Sequence, residues 1–164
     1  MTEQNLIKVD RMRYTKNKVS SNLALLAILF DVFYFVSIYK SDVSTYYYNI
    51  LVGGSVIYNL IFMLAVFLSS EGVKTYNKKY SYLLIVVGII QFIRIFIIPA
   101  KAHAAVVTIA KQERIVMETA QFVRCIIYLC LSGFCCLSSA VVGLVRSNRL
   151  GAYLSTLGEE VRRD

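Results

Sequence analysis

Four long blocks of apolar residues divide the chain, at 19–39, 46–68, 80–98 and 122–145, with lengths of 21, 23, 19 and 24 residues. Each is long enough to cross about 30 Å of hydrocarbon as a helix rising about 1.5 Å per residue. Within a block the apolar residues run on almost without interruption, as expected of segments surrounded by lipid or by other apolar helices. The third block stops at Pro99, which has no backbone N–H to donate and disfavours helix at the residue before it. From 100 to 121 helix-forming residues dominate, and Val106, Ile109, Val116 and Ala120 alternate with the polar set Lys111, Gln112, Arg114 and Glu118. That pattern predicts an amphipathic helix lying on the outer membrane surface. The predicted fold is an all-α membrane protein: a four-transmembrane-helix bundle forming a single domain over 1–164, with an interfacial helix between spans 3 and 4.

The few small and polar residues inside the blocks fall on stripes. In the first span Ser20, Ala24, Ala27, Asp31 and Tyr34 follow one another at spacings of 4, 3, 4 and 3, while Leu25, Leu29, Phe33 and Val36 occupy the opposite side. Small residues let membrane helices approach closely, so the first stripe should face other helices and the second lipid. The second span carries Gly53, Gly54, Ser55 and Asn59, and its glycines suggest a close helix crossing. In the third, Gly88, Gln91 and Arg94 share a polar sector. The fourth has the longest stripe, Cys125, Ser132, Cys136, Ser139 and Gly143 with Leu129 in the gap, which predicts a helix central to the bundle or to a dimer seam.

Composition agrees with this reading, since 57% of the 164 residues are hydrophobic. More than half the chain lies in the four blocks, which leaves no room for an extramembrane catalytic domain. Lysine and arginine set the expected orientation. The amino-terminal segment has five, the second connection three and the tail four, against one in the first connection and three in the third. Basic residues are retained on the cytoplasmic side, so both termini are expected in the cytoplasm and the protein in the cell membrane. The net charge of +8 then reflects inner loops and not a nucleic-acid surface. The basic lead of residues 1–18 is expected to lie along anionic headgroups. The first block, interrupted by Asp31 and followed by no small-residue cleavage pattern, reads as a retained anchor. With no tryptophan in the chain, tyrosines such as Tyr46, Tyr47 and Tyr48 supply the interfacial belt.

Charge inside a span is the strongest chemical signal. Counted from the cytoplasmic side, Asp31 lies roughly 18 Å and Arg94 roughly 21 Å into the membrane, close enough in depth to pair. Gln91 is nearby, and Asn49 and Arg124 stand at the outer ends of their spans, so these five outline a polar cluster in the outer half of the bundle, read either as a purely structural Asp31–Arg94 bond or as a substrate, ion or subunit contact. A snorkelling Arg94 is the competing arrangement. Cys125, Cys130, Cys135 and Cys136 lack C-x-x-C spacing and are taken as packing residues. His103 is the one histidine and has no partner at ligand spacing, so neither a metal nor a cofactor is expected. No phosphate loop, nucleophile elbow or carboxylate pair is present, which argues against an enzyme. The leading expectation is a small accessory or structural subunit of a larger membrane complex, most plausibly a transporter, in contact with lipid and with another integral membrane protein or a second copy of itself. The alternative is a self-contained oligomeric transporter or channel. A membrane-embedded enzyme would require His103, Arg94 and Asp31 to converge.

Overall fold

Each apolar block folds as a single helix. In the computed structural model the elements run α1 (Glu3–Met12), α2 (Lys18–Ile38), α3 (Tyr46–Lys74), α4 (Lys78–Ile97), α5 (Pro99–Ala104), β1 (Val106–Ile109), β2 (Gln112–Ile115) and α6 (Thr119–Thr156). The structure describes residues 3–38, 46–104, 106–109, 112–115 and 117–157, with side chains except at 3–5, 46–52, 107–109 and 112–115. Four helices are long and apolar enough to cross a membrane, the architecture of a multi-pass membrane protein.

α6 organises the bundle. It packs along both α2 and α4, and α3 closes the far side against the same two helices. α2 runs antiparallel to it, since Ser20 meets Ser139, Ala27 meets Ser132, and Ser37 meets Gln121. The fourth-span stripe therefore faces inward, and Cys125, Leu129, Ser132, Cys136, Ser139 and Gly143 are all buried. Closeness comes from missing side-chain bulk: a Cβ at Gly143 would sit 2.5 Å from Ser81 Oγ and 3.2 Å from Ser20 Oγ. With the backbones this near, hydroxyls on one helix reach carbonyls on the next. Ser20 Oγ donates to Ser139 O at 2.7 Å, and Ser139 Oγ returns a bond to Ser20 O at 2.6 Å. Ser21 and Ser70 join α2 to α3 at 2.7 Å. Such bonds hold helices together where lipid removes the hydrophobic drive. The predicted α2 stripe is buried throughout, and Leu25, Leu29, Phe33 and Val36 are exposed on its other side.

The α3–α4 turn is a Schellman motif with a tyrosine in place of glycine at its left-handed position. Asn77 N–H bonds Gly72 O and Tyr76 N–H bonds Val73 O, with Tyr76 at φ 60° in the left-handed position. Asn77 then caps α4 by accepting the N–H of Lys79. Gly72 is required at this corner because the Tyr80 ring lies where its Cβ would be, 2.0 Å away.

Three expectations are corrected. First, the amphipathic helix over 100–121 is a helix only over Pro99–Ala104, after which an antiparallel hairpin pairs Val106 with Ile115 and Ile109 with Gln112. The run Val106–Ile109 consists entirely of β-branched residues, which lose rotamer freedom in a helix and suit a pleated strand. Second, Gly53 and Gly54 are exposed and have no atom of the described residues within 4 Å, so the close crossing expected there is not made among the described residues. Third, the fourth span continues well past residue 145 as helix. Its 38 residues extend about 57 Å, nearly twice the hydrocarbon thickness. α1 runs alongside this extension instead of standing apart: Asp10 Oδ1 accepts from Tyr153 at 3.2 Å and Val9 is buried, while Asn17, just before α2, accepts from Arg146 at 2.9 Å. The tyrosine triplet at 46–48 lies outside the described side chains.

Replacing Gly143 with leucine should destabilise the bundle by about 1–3 kcal/mol, because the α2–α6–α4 contact has no volume to spare. Gly151→Ala, at a helical position with open space around it, should be neutral or stabilising by up to about 1 kcal/mol. Thermal unfolding in detergent compares the two.

Candidate functional site

All four spans contribute to one buried polar cluster. α4 supplies Gln91 and Arg94, which share a helix face because they are three residues apart. α2 supplies Asp31, α3 supplies Ser55 and α6 supplies Ser132. Arg94 Nη1 donates to Asp31 Oδ1 at 3.1 Å and Nη2 to Ser55 Oγ at 2.8 Å. Gln91 Nε2 donates to the same Asp31 oxygen at 2.9 Å and lies 3.3 Å from Ser132 Oγ, which passes its own proton to Ala27 O at 2.9 Å. The guanidinium is clasped between two rings, its central carbon 4.4 Å from the centroid of Tyr34 and 4.5 Å from that of Tyr58. Both distances are within cation–π range, and the rings supply the attraction without any formal charge.

Burial is nearly complete. Asp31 and Gln91 are 0% exposed and Arg94 is 3% exposed, which rules out snorkelling and leaves the arginine answered by its own chain. In a low-dielectric interior the carboxylate and the guanidinium each make the other tolerable, and removal of one strands the other.

The hydrogen bonding is incomplete. Among the described residues no partner is found for Asp31 Oδ2, Gln91 Oε1, Arg94 Nε, or either amide atom of Asn59, which is itself 0% exposed. α3 and α4 are joined by a tight turn and run antiparallel, with Ser55 opposite Arg94. Asn59, one turn along from Ser55, therefore lies at the level of Gln91, one turn back from Arg94. Donors and acceptors left over in a buried site are a place for polar occupants.

The sequence-predicted site is thus partly assembled. Asp31, Gln91 and Arg94 come together. Ser132, expected only to pack, also bonds Gln91. Cys125 lies 3.7 Å from Ser37 Oγ, while Cys136, Ser139 and Gly143 serve the helix contacts and all four thiols are free. Arg124 is exposed and outside the cluster's hydrogen bonds. The side chain of Asn49 lies outside the description. Sequence reasoning missed Ser55, Tyr34 and Tyr58 as partners of Arg94 and Asn59 as a site residue. The spacing Ser55, Asn59, Phe62, Val66 marks one inward face of α3 and was the available signal. His103 sits apart from the cluster: its ring stacks on Phe122 at 4.5 Å, and Nδ1 lies 3.1 Å from Met117 O. Among the described residues no three His, Cys, Asp or Glu side chains stand together as metal ligands. Comparison of the chain with protein-family models, with curated proteins and with solved structures gives no match.

Asp31→Ala and Arg94→Ala should each cost about 3–5 kcal/mol, because each leaves an unanswered buried charge. The double replacement Asp31→Leu with Arg94→Leu should be less damaging than the two single changes added together, with a coupling of about 1–3 kcal/mol. A double-mutant cycle of unfolding free energies in detergent measures it.

Proposed function

We propose that this chain is a small transporter whose bundle binds a polar solute or ion at the Asp31–Gln91–Arg94 cluster. The observation that carries the reading is the set of unmet hydrogen-bonding groups around a fully buried ion pair. Intramembrane ionisable residues are expensive to keep and mark pathways and binding sites more often than they mark packing. The reading requires no covalent chemistry and no cofactor. It takes both termini as cytoplasmic, on the strength of the basic bias of the connections, so that the cluster lies in the outer half of the membrane.

An accessory subunit of a larger transport complex is the second reading. Its two sequence-level supports were unsolvated polar groups and a helix of small residues, both in need of neighbours. The chain meets most of these needs itself, since Arg94 pairs with Asp31 and the α6 stripe packs on α2 and α4. What favours this reading now is α3, whose Gly53 and Gly54 face outward with space for a helix of another subunit or a second copy. Purification in mild detergent followed by mass spectrometry should then recover a partner polypeptide, and recovery of a lone monomer counts against it.

For the transport reading, protein reconstituted into liposomes should move a solute or ion, and Asp31→Asn should change that movement while leaving the bundle folded. Unchanged flux in the variant would remove the cluster from the pathway.

A further inference from the structure

Resting on the transport reading, and naming its substrate class, we infer that the cluster accepts a small neutral solute that both donates and accepts hydrogen bonds. Two observations carry this. The first is that charge is already balanced within the site. Asp31 and Arg94 are the two buried ionisable acid and base side chains among the described residues, and they are bonded to each other at 3.1 Å. A cation at the open Asp31 Oδ2 would meet a carboxylate whose charge Arg94 already answers through Oδ1. An anion at the open Arg94 Nε–H would meet a guanidinium whose charge Asp31 already answers. Either ion would leave an unbalanced charge in a low-dielectric interior.

The second observation is the kind of group left unmet. Asp31 Oδ2 and Gln91 Oε1 are acceptors, Arg94 Nε–H is a donor, and the Asn59 amide offers one of each whichever way round it is placed. A simple ion answers groups of one kind. A molecule bearing N–H or O–H groups beside a carbonyl or hydroxyl oxygen answers both, as urea and glycerol do. Phe62, Leu84 and Val87 lie in the apolar core on the Lys74 side of the cluster.

The test uses the full chain in liposomes with urea and glycerol as neutral probes and Na⁺, K⁺ and Cl⁻ as ionic ones, followed by light scattering and ion-selective dyes. The informative variant is Asn59→Leu, which removes both unmet amide atoms at similar volume. The expected result is faster urea or glycerol entry than in protein-free liposomes, without ion flux. Asn59→Leu should slow that entry about tenfold, equivalent to one buried hydrogen bond of about 1.4 kcal/mol, while thermal stability stays level or rises. Asn59→Ala, which also removes both amide atoms without added bulk, should show the same loss and serves if the leucine variant misfolds. Ion flux with no neutral flux would overturn the inference and leave the transport reading standing. So would neutral flux that neither variant alters. If no probe moves, the unmet groups hold water alone and both readings fall.

Discussion

An arginine inside a bilayer must be answered, and in this chain the answer to Arg94 fixes how four helices meet. Its two terminal nitrogens reach α2 through Asp31 and α3 through Ser55, its faces are covered by rings from the same two helices, and Gln91 carries the network onward to α6 at Ser132. Turning any of the four helices away would leave the charge pair or its polar partners unanswered in a low-dielectric interior, so the rotation of each helix about its own axis is constrained by the cluster. The apolar surface cannot supply such constraint, because one leucine facing lipid is much like another. The pair thus gives specificity, in a setting where burying an ion pair adds little net stability.

The rest of the bundle makes that geometry attainable. Serines, alanines and cysteines on α2 and α6 bring the two backbones together, and the reciprocal bonds between Ser20 and Ser139 lock their register seven residues from the Ala27–Ser132 contact, about two helical turns away. α6 extends beyond the others as a continuous helix, and α1 folds back along it, with Asp10 bonded to Tyr153. The small-residue stripe is thereby consumed inside the chain, which is why it offers no seam for a second copy.

Much of this was legible in the sequence, and the parts that were not share a cause. Span number and the inward faces of α2 and α6 follow from block length and from spacings of three and four residues, which are local properties of a helix. The convergence of Asp31, Gln91 and Arg94 could be read from depth alone. Which face of α3 turned inward could not, because Gly53–Gly54 and Ser55–Asn59 are both small or polar sets and only tertiary packing chooses between them. Tyr34 and Tyr58 were hidden for the same reason, since a tyrosine gives no sign in sequence of whether it meets lipid headgroups or a guanidinium. The hairpin at 106–115 was misread because alternation of apolar and charged residues was weighed above the β-branched run at its start.

The contrast between the two halves of the bundle bears on function. Where α2, α3 and α6 cross near Ser20, Ser21, Ser70 and Ser139, every one of those hydroxyls has a partner. Of the buried side-chain atoms without one among the described residues, all but Asn17 Nδ2 belong to the cluster or lie within a turn of it. Apart from Asn17 Nδ2, the open groups therefore gather in one half of the interior, so the shortfall is not a general looseness of packing. A purely structural ion pair would be better served by full pairing, since each open group carries a desolvation cost that no described residue offsets. Retaining several of them around one buried charge pair is consistent with a site whose partner arrives from outside the fold.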